Sequence, residues 1–225
     1  MHDFWKPIID PITSMTPDFG VNKPTEATVQ MILIVLSALL ITGLSVLIGR
    51  VLTQVMRKKG FLSKPTFNQV LSGMTGLCLF LRFGFSVALI QGLFLFFILL
   101  YASISDLTSH TVDDFVWVTV CALALAGIPT LGLTSMLAGA LFVFIPQLSL
   151  ALIPPHKTLG GADIKLSTAL AFLLGTWKGI TAYIVGLLLA VVIISIYHRK
   201  KKSDTKQPFA LVPFLGIGAM VLFFV

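Results

Sequence analysis

Charge is scarce in this chain. Only 11% of its 225 residues are charged, 56% are hydrophobic and the mean hydropathy is +0.98, whereas an ordinary soluble domain is roughly 25% charged. That shortage excludes a soluble globular protein. Acidic residues are the rarer sign, nine Asp and Glu against sixteen Lys and Arg, for a net charge of +7. In a soluble chain such an excess would point to nucleic acid. Here the basic residues sit in loops between apolar runs, where they set the direction of membrane spans, and no nucleic-acid partner is expected. Cysteine is nearly missing too: Cys78 and Cys121 stand alone in apolar stretches, with no CxxC pair and no His at ligand spacing. Neither a disulfide framework nor a metal site is expected. P-loop, dinucleotide-binding and Ser-His-Asp signatures are lacking, as is an internal repeat.

What is present is a succession of apolar runs. A helix needs about 20 apolar residues to cross the roughly 30 Å hydrocarbon layer, and Val29 to Gly49 supplies the first such span. Four acidic residues (Asp3, Asp10, Asp18, Glu26) precede it and no small-residue cleavage pattern follows, so it does not read as a cleavable signal peptide. A basic loop follows with Arg50, Arg57, Lys58, Lys59 and Lys64. The apolar run from Phe67 to Ile104 is too long for one span and is read as a hairpin turning near Arg82, Phe83 and Gly84. Further runs cover 115–127, 131–153, 163–176, 179–197 and 209–225, broken by Ile128-Pro129, by Pro154-Pro155-His156-Lys157 and by a second basic block from Arg199. The expected fold is therefore an all-α polytopic membrane protein of about eight spans. The positive-inside rule places both basic loops, 50–69 and 198–207, in the cytoplasm and both termini outside. The same count puts the polar stretches 105–114 and 154–162 on the cytoplasmic side together.

Those two stretches carry the only carboxylates between residues 27 and 203: Asp106, Asp113, Asp114 and Asp163. A carboxylate at the edge of a membrane body is costly and reads by default as functional. Asp113 and Asp114 precede Phe115 and are read as caps of its helix. Asp106 follows an apolar run, at a helix C-terminal end that disfavours negative charge, so a structural role is poorly motivated there. Asp163 admits two readings. It is either a plain N-cap of the helix it begins, or a reactive carboxylate made approachable by Gly160, Gly161 and Ala162, which carry almost no side-chain bulk. Lys165 either tunes Asp163 or orients a substrate, or merely snorkels to the interface. His110 and His156 are read as solvated loop residues, and Arg82 as an interface anchor. Gly43, Gly49, Gly132, Gly139 and Gly186 are candidates for close helix packing. Two aspartates on one side of a bundle can share a proton, one serving as base toward water while the other holds the proton for a carbonyl, with no metal required.

Three local patterns carry a resemblance. The first is Ala102-Ser103-Ile104-Ser105-Asp106-Leu107, followed by Thr111-Val112-Asp113-Asp114. The second is Gly160-Gly161-Ala162-Asp163-Ile164-Lys165-Leu166. The third is Pro208-Phe209-Ala210-Leu211-Val212-Pro213-Phe214-Leu215. In this order they resemble the type IV prepilin peptidase family, membrane aspartyl proteases with a GxGD-type motif, over Phe85 to Val225. The resemblance implies a six-helix protease core at 85–225, with two further spans and the basic loop in 29–84 and an extracytoplasmic segment at 1–28. It implies Asp106 and Asp163 as the catalytic pair, and Gly160, Gly161, Ala162 and Lys165 as residues that bind substrate or shape the motif.

The implied substrate is a pilin or pseudopilin precursor, relieved of its short basic leader at the cytoplasmic face of the bacterial inner membrane. No cofactor is implied. Ala162 stands where the strict motif has its second glycine, and Asp113-Asp114 stand where the family usually has Pro-Asn. Many members also carry a domain with two CxxC pairs between their first two spans. Loop 50–69 has no cysteine, so cleavage without a cysteine-ligated zinc is expected, and methylation of the product with S-adenosylmethionine is left open. Two rivals remain at this stage: an intramembrane protease of signal-peptide-peptidase type with the same two aspartates, and a small proton-coupled transporter. The oligomeric state is not legible.

Overall fold

The computed structural model describes residues 23–61, 64–152, 160–201 and 209–225. The expected outer segment at 1–28, His156 and most of the loop 154–162 fall largely outside them. Nine helices are described: α1 (Lys23–Lys58), α2 (Pro65–Phe83), α3 (Val87–Ser109), α4 (Asp114–Leu125), α5 (Ile128–Leu131), α6 (Leu133–Leu152), α7 (Gly161–Leu174), α8 (Thr176–Lys201) and α9 (Val212–Phe224). Apart from the single turn α5, they fall on the eight apolar runs, and no strand is described.

Only four are long and apolar enough to cross a membrane: Ala27–Lys58, Val87–Ser109, Leu133–Leu152 and Thr176–Ile196. The chain is a helical membrane protein, but eight full-length spans are not what the helices supply. At a rise of about 1.5 Å per residue, α4, α7 and α9, with 12, 14 and 13 residues, fall well short of a layer of about 30 Å. Helix α2 is long enough, but Asn68, Gln69, Ser72, Thr75 and Arg82 dilute its apolar character.

The hairpin turn lies where the length of the apolar run requires it. Helix α2 ends at Phe83, and Gly84 takes φ 56°, a conformation that costs glycine little. Ser86 then caps α3 by accepting the Leu89 N–H at 3.2 Å. Arg82, at this tip, donates from Nε to the Phe224 carbonyl at 3.1 Å, tying the turn to the end of α9.

Helix α1 packs mainly on α2 along a seam of small residues, where a Cβ on Gly49 would overlap Ser72 and one on Gly76 would overlap Ser45. Such seams suit helices in lipid, which gain association energy from close backbone approach. Of the glycines singled out for packing, Gly49, Gly139 and Gly186 do sit against a neighbouring helix, whereas Gly43 faces open space. The main core joins α3, α4, α7 and α9 around Leu95, Leu99, Val116, Val120, Leu166, Leu170, Val212 and Leu215. Helices α4 and α9 each touch both α3 and α7, so they bridge the two helices that carry Asp106 and Asp163.

Candidate functional site

Asp106 lies in the last turn of α3 and is 6% exposed. Its backbone carbonyl accepts the His110 N–H at 3.0 Å, and His110 closes the helix with φ 52°. A carboxylate near a helix C-terminus meets the negative end of the dipole. A second helix compensates. Val212, the first residue of α9, donates its backbone N–H to Asp106 Oδ2 at 3.0 Å. The first N–H groups of a helix have no partner of their own, and the positive end of its dipole suits an anion. Pro213, second in α9, fits there because an early helix position needs no donor from it. The third sequence pattern thus supplies the hydrogen bond of the first, a relation that no side chain in either pattern announces.

Asp163 lies in the first turn of α7. The N-cap reading is corrected: the cap position belongs to Gly160, whose carbonyl accepts the Asp163 N–H at 3.1 Å. Gly160 also makes room for the carboxylate, since a Cβ there would stand 2.9 Å from Asp163 Oδ2. A Cβ on Gly161 would meet none of the described residues within 4 Å. Ala162 follows, partly buried. Asp106 acts electrostatically on Asp163, and Asp163 in turn on Tyr183 of α8. The two aspartates singled out by scarcity are therefore within charge reach of each other. His110, exposed at the end of α3 as a solvated loop residue would be, is near enough to act electrostatically on Asp106.

The other candidates are placed differently from the sequence expectation. Lys165 makes its ion pair with Asp114, not with Asp163. Two residues further along a helix points it roughly 200° round the axis, where Nζ pairs with Asp114 Oδ1 at 2.8 Å and lies 5.7 Å from the Trp117 ring centroid. The Trp117 indole N–H donates to the same Asp114 oxygen at 3.0 Å. Asp114 thus ties α4 to α7 instead of capping α4. Asp113 occupies the cap position of α4 without a capping bond; its Oδ2 accepts the Tyr101 hydroxyl at 2.5 Å, and that hydroxyl also accepts from Lys59 Nζ at 3.1 Å. Together with the bond from Ser105 Oγ to the Thr111 carbonyl at 2.8 Å, this holds the turn after Asp106 against α3 and the end of α1.

Residues 93–198, which contain both aspartates and the Gly160-Gly161-Ala162 turn, match the model of the type IV leader peptidase family. This region belongs to that family. No curated protein and no solved structure shows a significant match to the chain. The match supports a protease of the leader peptidase kind, a family that acts on proteins. The match begins within α3 and ends within α8, so it leaves out α1, α2 and α9, the helix whose N-terminus serves Asp106. Among the described residues no group of three or more His, Cys, Asp or Glu is placed to hold a metal ion.

Proposed function

We propose that the chain is a prepilin leader peptidase, removing the short basic leader of a type IV pilin or pseudopilin precursor at the cytoplasmic face of a bacterial inner membrane. The observation that carries this reading is the pairing of Asp106 and Asp163 from different helices within the matched region, both partly withdrawn from solvent and in charge reach of each other. Like charges that act on each other cannot both ionise easily, and in this reading the pair holds one proton between them during the reaction. The ionised partner takes a proton from a water, which attacks the scissile carbonyl, while the protonated partner donates to the carbonyl oxygen. The resulting tetrahedral intermediate collapses as a proton passes to the departing amine.

Each surrounding feature has a part in this reading. The Val212 N–H steadies the charged form of Asp106, and the first turn of α7 favours charge on Asp163. The lack of side-chain bulk at Gly160, Gly161 and Ala162 lets an extended peptide come close to the carboxylate. A basic leader meets Asp106, Asp113, Asp114 and Asp163 there, the only acidic residues between 27 and 203. In this reading eight helices traverse the bilayer in whole or in part, the shorter ones sheltered by their neighbours.

The test is to incubate membranes containing the protein with a prepilin precursor and to map the new N-terminus of the product. The reading expects one cut, at the border of the leader and the apolar helix. A cut inside the apolar helix would instead mark a protease of signal-peptide-peptidase type, and no cut on any of several precursors would refute the proposal.

A further inference from the structure

Gln147 is buried to 1% exposure in α6, a helix otherwise made almost wholly of apolar and small residues. A buried amide is expensive unless its hydrogen bonds are met. Gln147 Nε2 lies 3.1 Å from the Val143 carbonyl and 2.8 Å from Ser167 Oγ of α7. The Ser167 hydroxyl lies 2.7 Å from the Asp163 carbonyl, with the Ile164 carbonyl and Gln147 Oε1 at 3.1 and 3.0 Å as alternative acceptors. One hydroxyl has a single proton. With that proton on the Asp163 carbonyl the Gln147 amide donates to Ser167 Oγ, and with it on Gln147 Oε1 the two side chains are joined the other way; either way Gln147 of α6 is tied to Ser167 of α7.

The turn that this network reaches has its own helix bonds, the Asp163 and Ile164 N–H groups donating to the Gly160 carbonyl at 3.1 and 3.3 Å. Gly160, Gly161 and Ala162 offer almost no side chain to pack, and a Cβ on Gly161 would meet none of the described residues within 4 Å. Among the described residues, side-chain anchoring of this turn comes from the C-terminal side of Asp163, where the Ser167 hydroxyl reaches its carbonyl at 2.7 Å. Catalysis between two carboxylates from different helices depends on their relative placement, and a misplacement of about 1 Å can cost roughly a hundredfold in rate. We propose that Gln147 is a positioning residue, which through Ser167 fixes the first turn of α7 and with it the Asp163 carboxylate. This rests on the reading of Asp163 as one of the catalytic pair.

The test compares Gln147→Leu, Ser167→Ala, their double variant and Ser167→Thr, which keeps the hydroxyl. Ser135→Ala and Thr176→Val are the controls. They weaken a polar tie between α6 and α8 away from Asp163: Thr176→Val removes the hydroxyl that donates to the Ser135 carbonyl at 2.7 Å, and Ser135→Ala the hydroxyl that accepts the Thr176 N–H at 3.3 Å. Gln147→Leu and Ser167→Ala are each expected to lower kcat on a prepilin about 10- to 100-fold with KM within about twofold. The double variant should be no worse than either single one, because both remove one chain of bonds. Ser167→Thr should stay near the wild-type rate, and the controls should leave kcat unchanged. In parallel, amide hydrogen exchange over residues 161–167 should quicken in Gln147→Leu and not in the controls.

A Gln147→Leu protein with the kcat of the controls, or with unchanged exchange over 161–167, overturns the proposal. If the wild type cleaves no precursor, it is the peptidase reading that fails, and the exchange measurement still decides whether Gln147 holds this turn.

Discussion

The backbone N–H of Val212 and the carboxylate of Asp106 meet at 3.0 Å, joining the start of α9 to the end of α3. An asparagine at 106 can accept the same bond through its amide oxygen, whereas a leucine leaves the buried N–H without a partner. The fold should therefore tolerate Asp106→Asn, while Asp106→Leu should lose about 1–3 kcal/mol for the unsatisfied donor. Thermal unfolding in detergent checks this. Equal stability of the two variants would mean that the Val212 bond does not hold α9 in place.

Gly160 and Gly161 are neighbours with opposite demands. A methyl group at 160 would stand 2.9 Å from Asp163 Oδ2, whereas one at 161 would meet none of the described residues within 4 Å. Gly160→Ala is expected to displace the carboxylate and lower kcat by more than about tenfold, and Gly161→Ala to stay within about threefold of wild type, the added surface being solvated and small. Cleavage rates at matched membrane abundance decide it. Equal rates for the two variants would contradict this geometry.

The ion pair of Lys165 and Asp114 is exposed, at 50% and 75% of the side-chain surface. Exposed pairs contribute little to stability because water and salt screen them. Lys165→Met and Asp114→Asn should each lower activity less than about tenfold, and the double variant should add little because both remove the same contact. A loss from Lys165→Met as deep as that from Asp163→Asn would show that the lysine acts directly on the reaction.

Tyr101 and Asp113 hold the turn that follows Asp106. Tyr101→Phe deletes one hydrogen bond to a carboxylate, worth about 1.5–3 kcal/mol when the charged partner is well ordered. Faster proteolysis within 110–113 and a several-fold fall in cleavage rate are expected. Unchanged protease sensitivity there would show that the Ser105 bond to Thr111 suffices.

Much of the fold was legible because the bilayer imposes a length scale. The run from Phe67 to Ile104 exceeds one span, and a glycine near its middle gives the turn, now seen at Gly84. Scarcity pointed to Asp106 and Asp163, and the packing of α4 and α9 brings them within charge reach. Other relations needed the packing itself. A backbone donor has no sequence signature, so the role of Val212 was hidden, with only Pro213 early in its helix as a hint. Lys165 stands two residues from Asp163 in sequence but on another face of α7, and its partner was fixed by how α4 lies against that face. Asp113 read as a cap because Asp is favoured there, yet the Tyr101 hydroxyl takes its carboxylate. Gln147 and Ser167, twenty residues apart, became neighbours only when α6 and α7 paired.

The most direct measurement of the central claim is the single-turnover cleavage of one prepilin by the wild type, by Asp106→Asn and by Asp163→Asn, at equal amounts of folded protein in the membrane. The account predicts that the wild type cleaves and that each single variant loses at least about a thousandfold, since one carboxylate cannot serve as base and hold the shared proton together. Full-rate cleavage by either variant would contradict it, and the reacting pair would have to be sought elsewhere, beginning with Asp113 and Asp114.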